Sequence, residues 1–111
     1  MFFRKATSVP EISVSDVHGS DGLILIDVRE DHELVGELGA IAGVRHVPLG
    51  TLLQQGLPAD LSTDAPIVMV CKSGGRSGQA TMAALQAGYT NTQNMSGGML
   101  AWNREGLPVA R

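Results

Sequence analysis

The sequence is poor in cysteine, in long apolar runs and, over its second half, in acids. Cys71 is the only cysteine among 111 residues, so no internal disulfide can form. A lone thiol is usable chemistry in a reducing compartment, which points to the cytoplasm. The length suits one compact domain. A chain of this size buries roughly two thirds of its unfolded surface and needs neither a disulfide nor a metal to hold it. No apolar run approaches the ~18–20 residues that span a membrane. The opening Met1-Phe2-Phe3-Arg4-Lys5 places its apolar pair ahead of its charges with no apolar core behind them, unlike a signal peptide. Repeats and low-complexity tracts are absent.

The net charge of −3 is too mild to recommend nucleic acid or a membrane surface as a partner. Its distribution says more. Eight acids (Glu11, Asp16, Asp21, Asp27, Glu30, Asp31, Glu33 and Glu37) fall within residues 11–37, and none lies within residues 65–104. The cysteine therefore sits in a locally cationic stretch with Lys72, Arg76 and Arg104, as a site for an anion would.

Residues 1–10 read as a loose lead-in to a domain over 11–111. Glu11-Ile12 suits a short edge strand, and Ser13 with Asp16 has the form of a capping box that starts a brief helix near Val14. Leu23-Ile24-Leu25-Ile26-Asp27-Val28 and Ile67-Val68-Met69-Val70-Cys71 are continuous apolar runs of strand length, the pattern of parallel strands buried on both faces. Residues 30–38 predict a helix with Leu34, Val35 and Leu38 buried and Glu30, Asp31, Glu33 and Glu37 on a solvated face. A short strand at His46-Val47 precedes a helix carrying Leu49, Leu52 and Leu53. Ala80, Ala83, Ala84 and Ala87 recur at helical spacing over 76–87, with Gly88 placed to end that helix. A last strand over 90–95 and a closing helix over 99–104 follow, with Met99 and Trp102 in the core. Strands alternating with helices imply an α/β domain: a central, mainly parallel five-stranded sheet with helices on both faces. Ligands in such sheets bind outside the carboxyl ends of the strands, where Cys71 falls.

Cys71-Lys72-Ser73-Gly74-Gly75-Arg76-Ser77 carries the chemistry. A thiol must ionise to act as a nucleophile, and unpaired amides at a helix N-terminus favour an anion. Gly74 and Gly75 permit a tight loop whose amides converge, and Lys72 and Arg76 add positive charge. No general base is needed once the thiolate is preformed. None of His18, His32 or His46 lies near the loop in sequence. Asp27 and Arg29, at the end of a buried strand beside the site, read first as a structural ion pair and second as groups that orient the loop. Gly97 and Gly98 form a tight turn or approach the pocket.

Several segments together resemble the rhodanese-like domain. Asp27-Val28-Arg29 resembles its Asp-Val-Arg signature, and residues 39–49 its second signature, with Ala40 and Ala42 where His and Pro usually stand. Cys71 to Ser77 is similar to its active loop, Gly88-Tyr89 to its glycine-aromatic turn, and residues 94–109 to its ending. The resemblance implies a sulfurtransferase in which Cys71 takes sulfane sulfur from a small anionic donor such as thiosulfate. Lys72, Ser73, Gly74, Gly75, Arg76 and Ser77 would line the pocket, and Asp27 and Arg29 would support it from behind. The acceptor (cyanide, a thiol or a protein) must come from outside, since no second cysteine exists. No metal or cofactor is called for. Two other readings remain: a cysteine phosphatase, and a binding module or persulfide relay for a partner protein. Four residues separate Cys71 from Arg76, one fewer than phosphatase loops hold around a tetrahedral phosphate, which favours sulfur.

Overall fold

The structure, a computed structural model, describes residues 8–111. Residues 1–7 of the expected lead-in lie outside the described residues. The chain runs β1 (Glu11–Ile12), α1 (Val14–His18), β2 (Ile24–Asp27), α2 (Asp31–Leu34), β3 (Arg45–His46), α3 (Leu49–Gln55), β4 (Ile67–Val70), α4 (Gly75–Gln86), β5 (Thr92–Met95) and α5 (Gly98–Arg104). All four strand pairings are parallel, in the order β1-β5-β4-β2-β3. This is the expected α/β sheet, with the cysteine strand at its centre.

The apolar run of β4 is buried on both faces because its residues alternate between two cores. Ile67, Met69 and Cys71 pack with Leu52 of α3 and with Ala80 and Ala84 of α4. Val68 and Val70 pack with Val14 and Val17 of α1 and with Met99 and Trp102 of α5. Small residues on α4 bring its axis close to the sheet. That helix ends in a Schellman motif, with the Gly88 amide donating to the Leu85 carbonyl at 3.1 Å and the Tyr89 amide to Ala84 at 3.0 Å.

The helix expected over 30–38 is a single turn. Glu30 and Glu33 form a reciprocal capping box around it, and Val35 is 76% exposed where burial was expected. Gly36 and Gly39 explain the shortness, since glycine inside a helix costs backbone entropy that nothing here offsets. The chain instead turns through hydrogen bonds, the Gly36 amide donating to the Glu33 carbonyl and the Gly39 amide to the Gly36 carbonyl. From β2 the chain passes outward to β3, and from β4 it passes to β5 on the opposite side. The carboxyl ends of β2 and β4 therefore flank a topological switch point, where open α/β sheets form their binding crevice.

Candidate active site

Cys71 follows the last residue of β4 and is 1% exposed. The Gly74 amide donates to its sulfur at 3.0 Å, and the Ser77 hydroxyl lies 3.1 Å away. Gly74 is the N-cap of α4 with φ 109°, a left-handed conformation that a side chain would disfavour. The turn it permits sets the sulfur against the start of a twelve-residue helix.

The loop is shaped by what holds its carbonyls. Met99 N–H donates to the Cys71 carbonyl at 2.8 Å, and Leu100 N–H to the Lys72 carbonyl at 2.9 Å. The Asn94 side-chain amide donates to the Gly74 carbonyl at 3.1 Å. In a trans peptide the N–H points opposite to the C=O, so carbonyls held from behind turn the next amides to the other side. The close approach of α5 requires Gly98, where an added Cβ would lie 2.5 Å from both the Cys71 and Lys72 carbonyl oxygens. Gly98 thus contacts the loop, the second of the two roles open to it from sequence.

Burial pushes the Cys71 thiol up, but the Ser77 hydroxyl and the amides of Ser77, Gly74 and Ser73 outweigh it and hold the thiol below its ordinary value. The single Ser77 proton has two claimants, because Asn94 Oδ1 lies 2.5 Å from the same hydroxyl. Asn94 is 3% exposed, and its nitrogen also donates to Glu11 Oε2 at 3.1 Å. With the nitrogen facing two acceptors, its oxygen must face Ser77. Sequence reading passed over Asn94. The available signal was a polar residue at a buried position of the strand beside the cysteine.

The charge expected from sequence is corrected by the fold. Arg76 does not stand alone at the mouth, because its two terminal nitrogens meet Glu33 at 2.7 and 2.9 Å. Glu33, assigned from sequence to a solvated face, is half-buried there. The hydrogen bond to Arg76 outweighs burial and, with the Glu30 amide and the charges of Arg76 and Arg29, lowers its pKa to about 2. Lys72 and Ser73 are exposed, and Gly75 lies at the first turn of α4. Lys72 borders a hollow of about 340 Å³ that Arg29, His32, Glu33, Leu38 and Leu100 also line.

Asp27 and Arg29 form a buried pair 2.9 Å apart, with side chains 0% and 1% exposed. Arg29 also donates to the Gly39 carbonyl at 2.8 Å and the Glu33 carbonyl at 3.3 Å. Among the described residues the pair makes no hydrogen bond to residues 71–77; it ties β2 to the segment that presents Glu33. His46 Nε2 sits 2.6 Å from the Arg29 carbonyl and must donate to it. Ala40 meets Ala110 through two backbone hydrogen bonds, which ask nothing of its side chain. No cluster of three or more metal-binding side chains occurs among the described residues.

The fold thus sets a buried thiol, held below its ordinary pKa by the Ser77 hydroxyl and nearby amides, at a switch point of the sheet. The family model for the rhodanese-like domain matches residues 13–105, and the chain belongs to that family. It is 31% identical to a sulfurtransferase of Allochromatium vinosum, over 81% of this chain and 80% of that one. It is 34% identical to the uncharacterized protein slr1261 of Synechocystis over 89% of its own length, but spans only about half, 53%, of that relative. Among solved structures, a rhodanese-related protein of Thermoplasma volcanium superposes with a TM-score of 0.81 at 29% identity, covering 91% of this chain and 97% of that one. No helix among the described residues is long and apolar enough to cross a membrane.

Proposed function

We propose that the protein transfers sulfane sulfur through a persulfide on Cys71. The thiolate attacks the outer sulfur of a small anionic donor such as thiosulfate; an S–S bond forms at Cys71 as the donor's S–S bond breaks and sulfite leaves with its electron pair. An external thiophile then removes the sulfur: cyanide, leaving as thiocyanate, or the thiolate of a small molecule or protein. Cys71 is the only cysteine among these 111 residues, so none of the others supplies the accepting thiol.

The observation that carries this reading is the Gly74 N–H donating to the sulfur at 3.0 Å at the start of α4, with the Ser77 hydroxyl 3.1 Å away. The amides of Gly74, Ser73 and Ser77 favour the thiolate before any sulfur donor arrives. Arg76 and Lys72 sit at the rim of the site, and Asp27 and Arg29 act from behind through Glu33. A reducing, cytoplasmic setting suits a lone cysteine of this kind. A phosphatase reading is less well supported, since the loop is one residue short for a phosphate.

Intact mass after incubation with thiosulfate tests the proposal. The wild type should gain the mass of one sulfur atom and lose it to cyanide with formation of thiocyanate, while Cys71→Ser should gain nothing. Loading of Cys71→Ser to the wild-type extent would refute it.

A further inference from the structure

We infer that Glu33 sets the charge class of the sulfur donor, turning the site away from dianions such as thiosulfate and toward organic persulfides. This rests on the sulfurtransferase reading above. A site evolved around a dianion would leave its cations unpaired at the mouth. Here the guanidinium of Arg76 is engaged at both terminal nitrogens by Glu33. Arg29 is matched in the same way by Asp27. Lys72 is exposed but shares its hollow with Glu33 and Glu37. Asp27 and Glu33 thus pair with Arg29 and Arg76, and Glu37 shares the hollow of Lys72, so most of the positive charge near the mouth is matched.

The hollow beside the loop is also partly apolar. Leu38 and Leu100 line it together with Lys72 and Glu33, and Leu100 is 42% exposed despite its size. Thiosulfate has nothing to place on two leucines, whereas the organic part of a persulfide does. An organic persulfide brings at most one negative charge at its sulfur end. Its transfer balances without an oxidant: Cys71–S⁻ attacks the outer sulfur of R–S–SH, that S–S bond breaks, Cys71–S–SH forms and R–S⁻ leaves.

Glu33→Gln tests this, because glutamine keeps the capping bond to the Glu30 amide and one acceptor for Arg76 while removing the charge. Rate constants for sulfur loading of Cys71 are read by intact mass, with thiosulfate and with the persulfide of 2-mercaptoethanol. Coulomb energy is linear in ligand charge, so a gain of about threefold for a monoanion becomes about tenfold for a dianion. The expected result is faster loading by both donors, with the thiosulfate-to-persulfide ratio rising about threefold. The thiosulfate rate of the wild type should also change little with salt, while that of Glu33→Gln falls as salt is added. A ratio unchanged by the substitution, or a wild-type thiosulfate rate that drops steeply with salt, would overturn the assignment of Glu33 and leave sulfur transfer standing. Loading of the wild type by neither donor would overturn both.

Discussion

The loop over residues 71–77 and the segment over 27–39 meet at one site, yet they are built in opposite ways. In the loop, neighbours in sequence do most of the work: Gly74 turns the chain, α4 begins, and the Gly74 amide and Ser77 hydroxyl reach back to Cys71. In the acidic segment local bonds hold the chain together, but the ion pair that reaches the loop is distant in sequence. Glu33 reaches 43 residues along the chain to Arg76, and Arg29 reaches ten to the Gly39 carbonyl. The contrast shows why charge counted along a sequence misleads at a site: the cationic stretch and the acidic stretch are separate in the chain and paired in the fold.

The buried pair gives the largest handle on that contrast. Arg29→Ala leaves Asp27 buried without its partner and should destabilise the protein by about 3–5 kcal/mol in urea unfolding. Replacing both partners with apolar residues should cost much less. Equal losses in the two variants would mean that the pair's worth lies in packing rather than charge. Gly98→Ala comes next, at about 2–3 kcal/mol, because its Cβ collides with two carbonyl oxygens at a left-handed φ of 57°. The same variant should slow sulfur loading, since the Cys71 and Lys72 carbonyls lose their register with α5.

Smaller effects separate the loop's own donors from its support. Ser77→Ala removes the hydroxyl that most lowers the thiol pKa, so the acid limb of a loading-rate profile should move to higher pH. A hydrogen bond to a charged group is worth about 1.5–3 kcal/mol, so loading at neutral pH should fall roughly tenfold. Asn94→Ala acts one step further back, through Gly74 and Ser77. It should slow loading less, about threefold, taking roughly 0.6 kcal/mol from the barrier's stabilisation. A larger loss than for Ser77→Ala would place the control of the loop in β5 rather than in α4.

The smallest effect is in stability against pH. The folded pKa of Glu33 lies at about 2, below its ordinary value of 4.5. Its contribution is therefore complete above the unfolded value and is lost as pH falls through that window toward 2. Solvent at the rim limits it to about 1 kcal/mol. Urea midpoints between pH 5 and pH 3 should fall less steeply for Glu33→Gln than for the wild type.

Much of the fold was legible because it rests on short-range signals. The runs ending at Val28 and Cys71 are apolar on both faces, which in a chain of alternating elements means central parallel strands, and they pair as β2 and β4. The alanine spacing of α4 and its closing Gly88-Tyr89 turn are equally local. The helix over 30–38 failed because apolar periodicity was read through Gly36, whose backbone cost outweighed Leu34 and Val35. Asn94 escaped notice because its partners, Gly74, Ser77 and Glu11, lie 17 to 83 residues away.

By itself, then, the amino-acid sequence determined a parallel α/β sheet, the placing of Cys71 at a strand's carboxyl end, and a glycine loop leading into a helix. These follow from hydrogen-bonding and burial rules that act over a few residues. Only the tertiary structure decided which charges the loop would face and which groups would hold its carbonyls. Electrostatic energy depends on distance in space, and a chain that brings residues 33 and 76 within 2.7 Å can cancel what composition alone predicts.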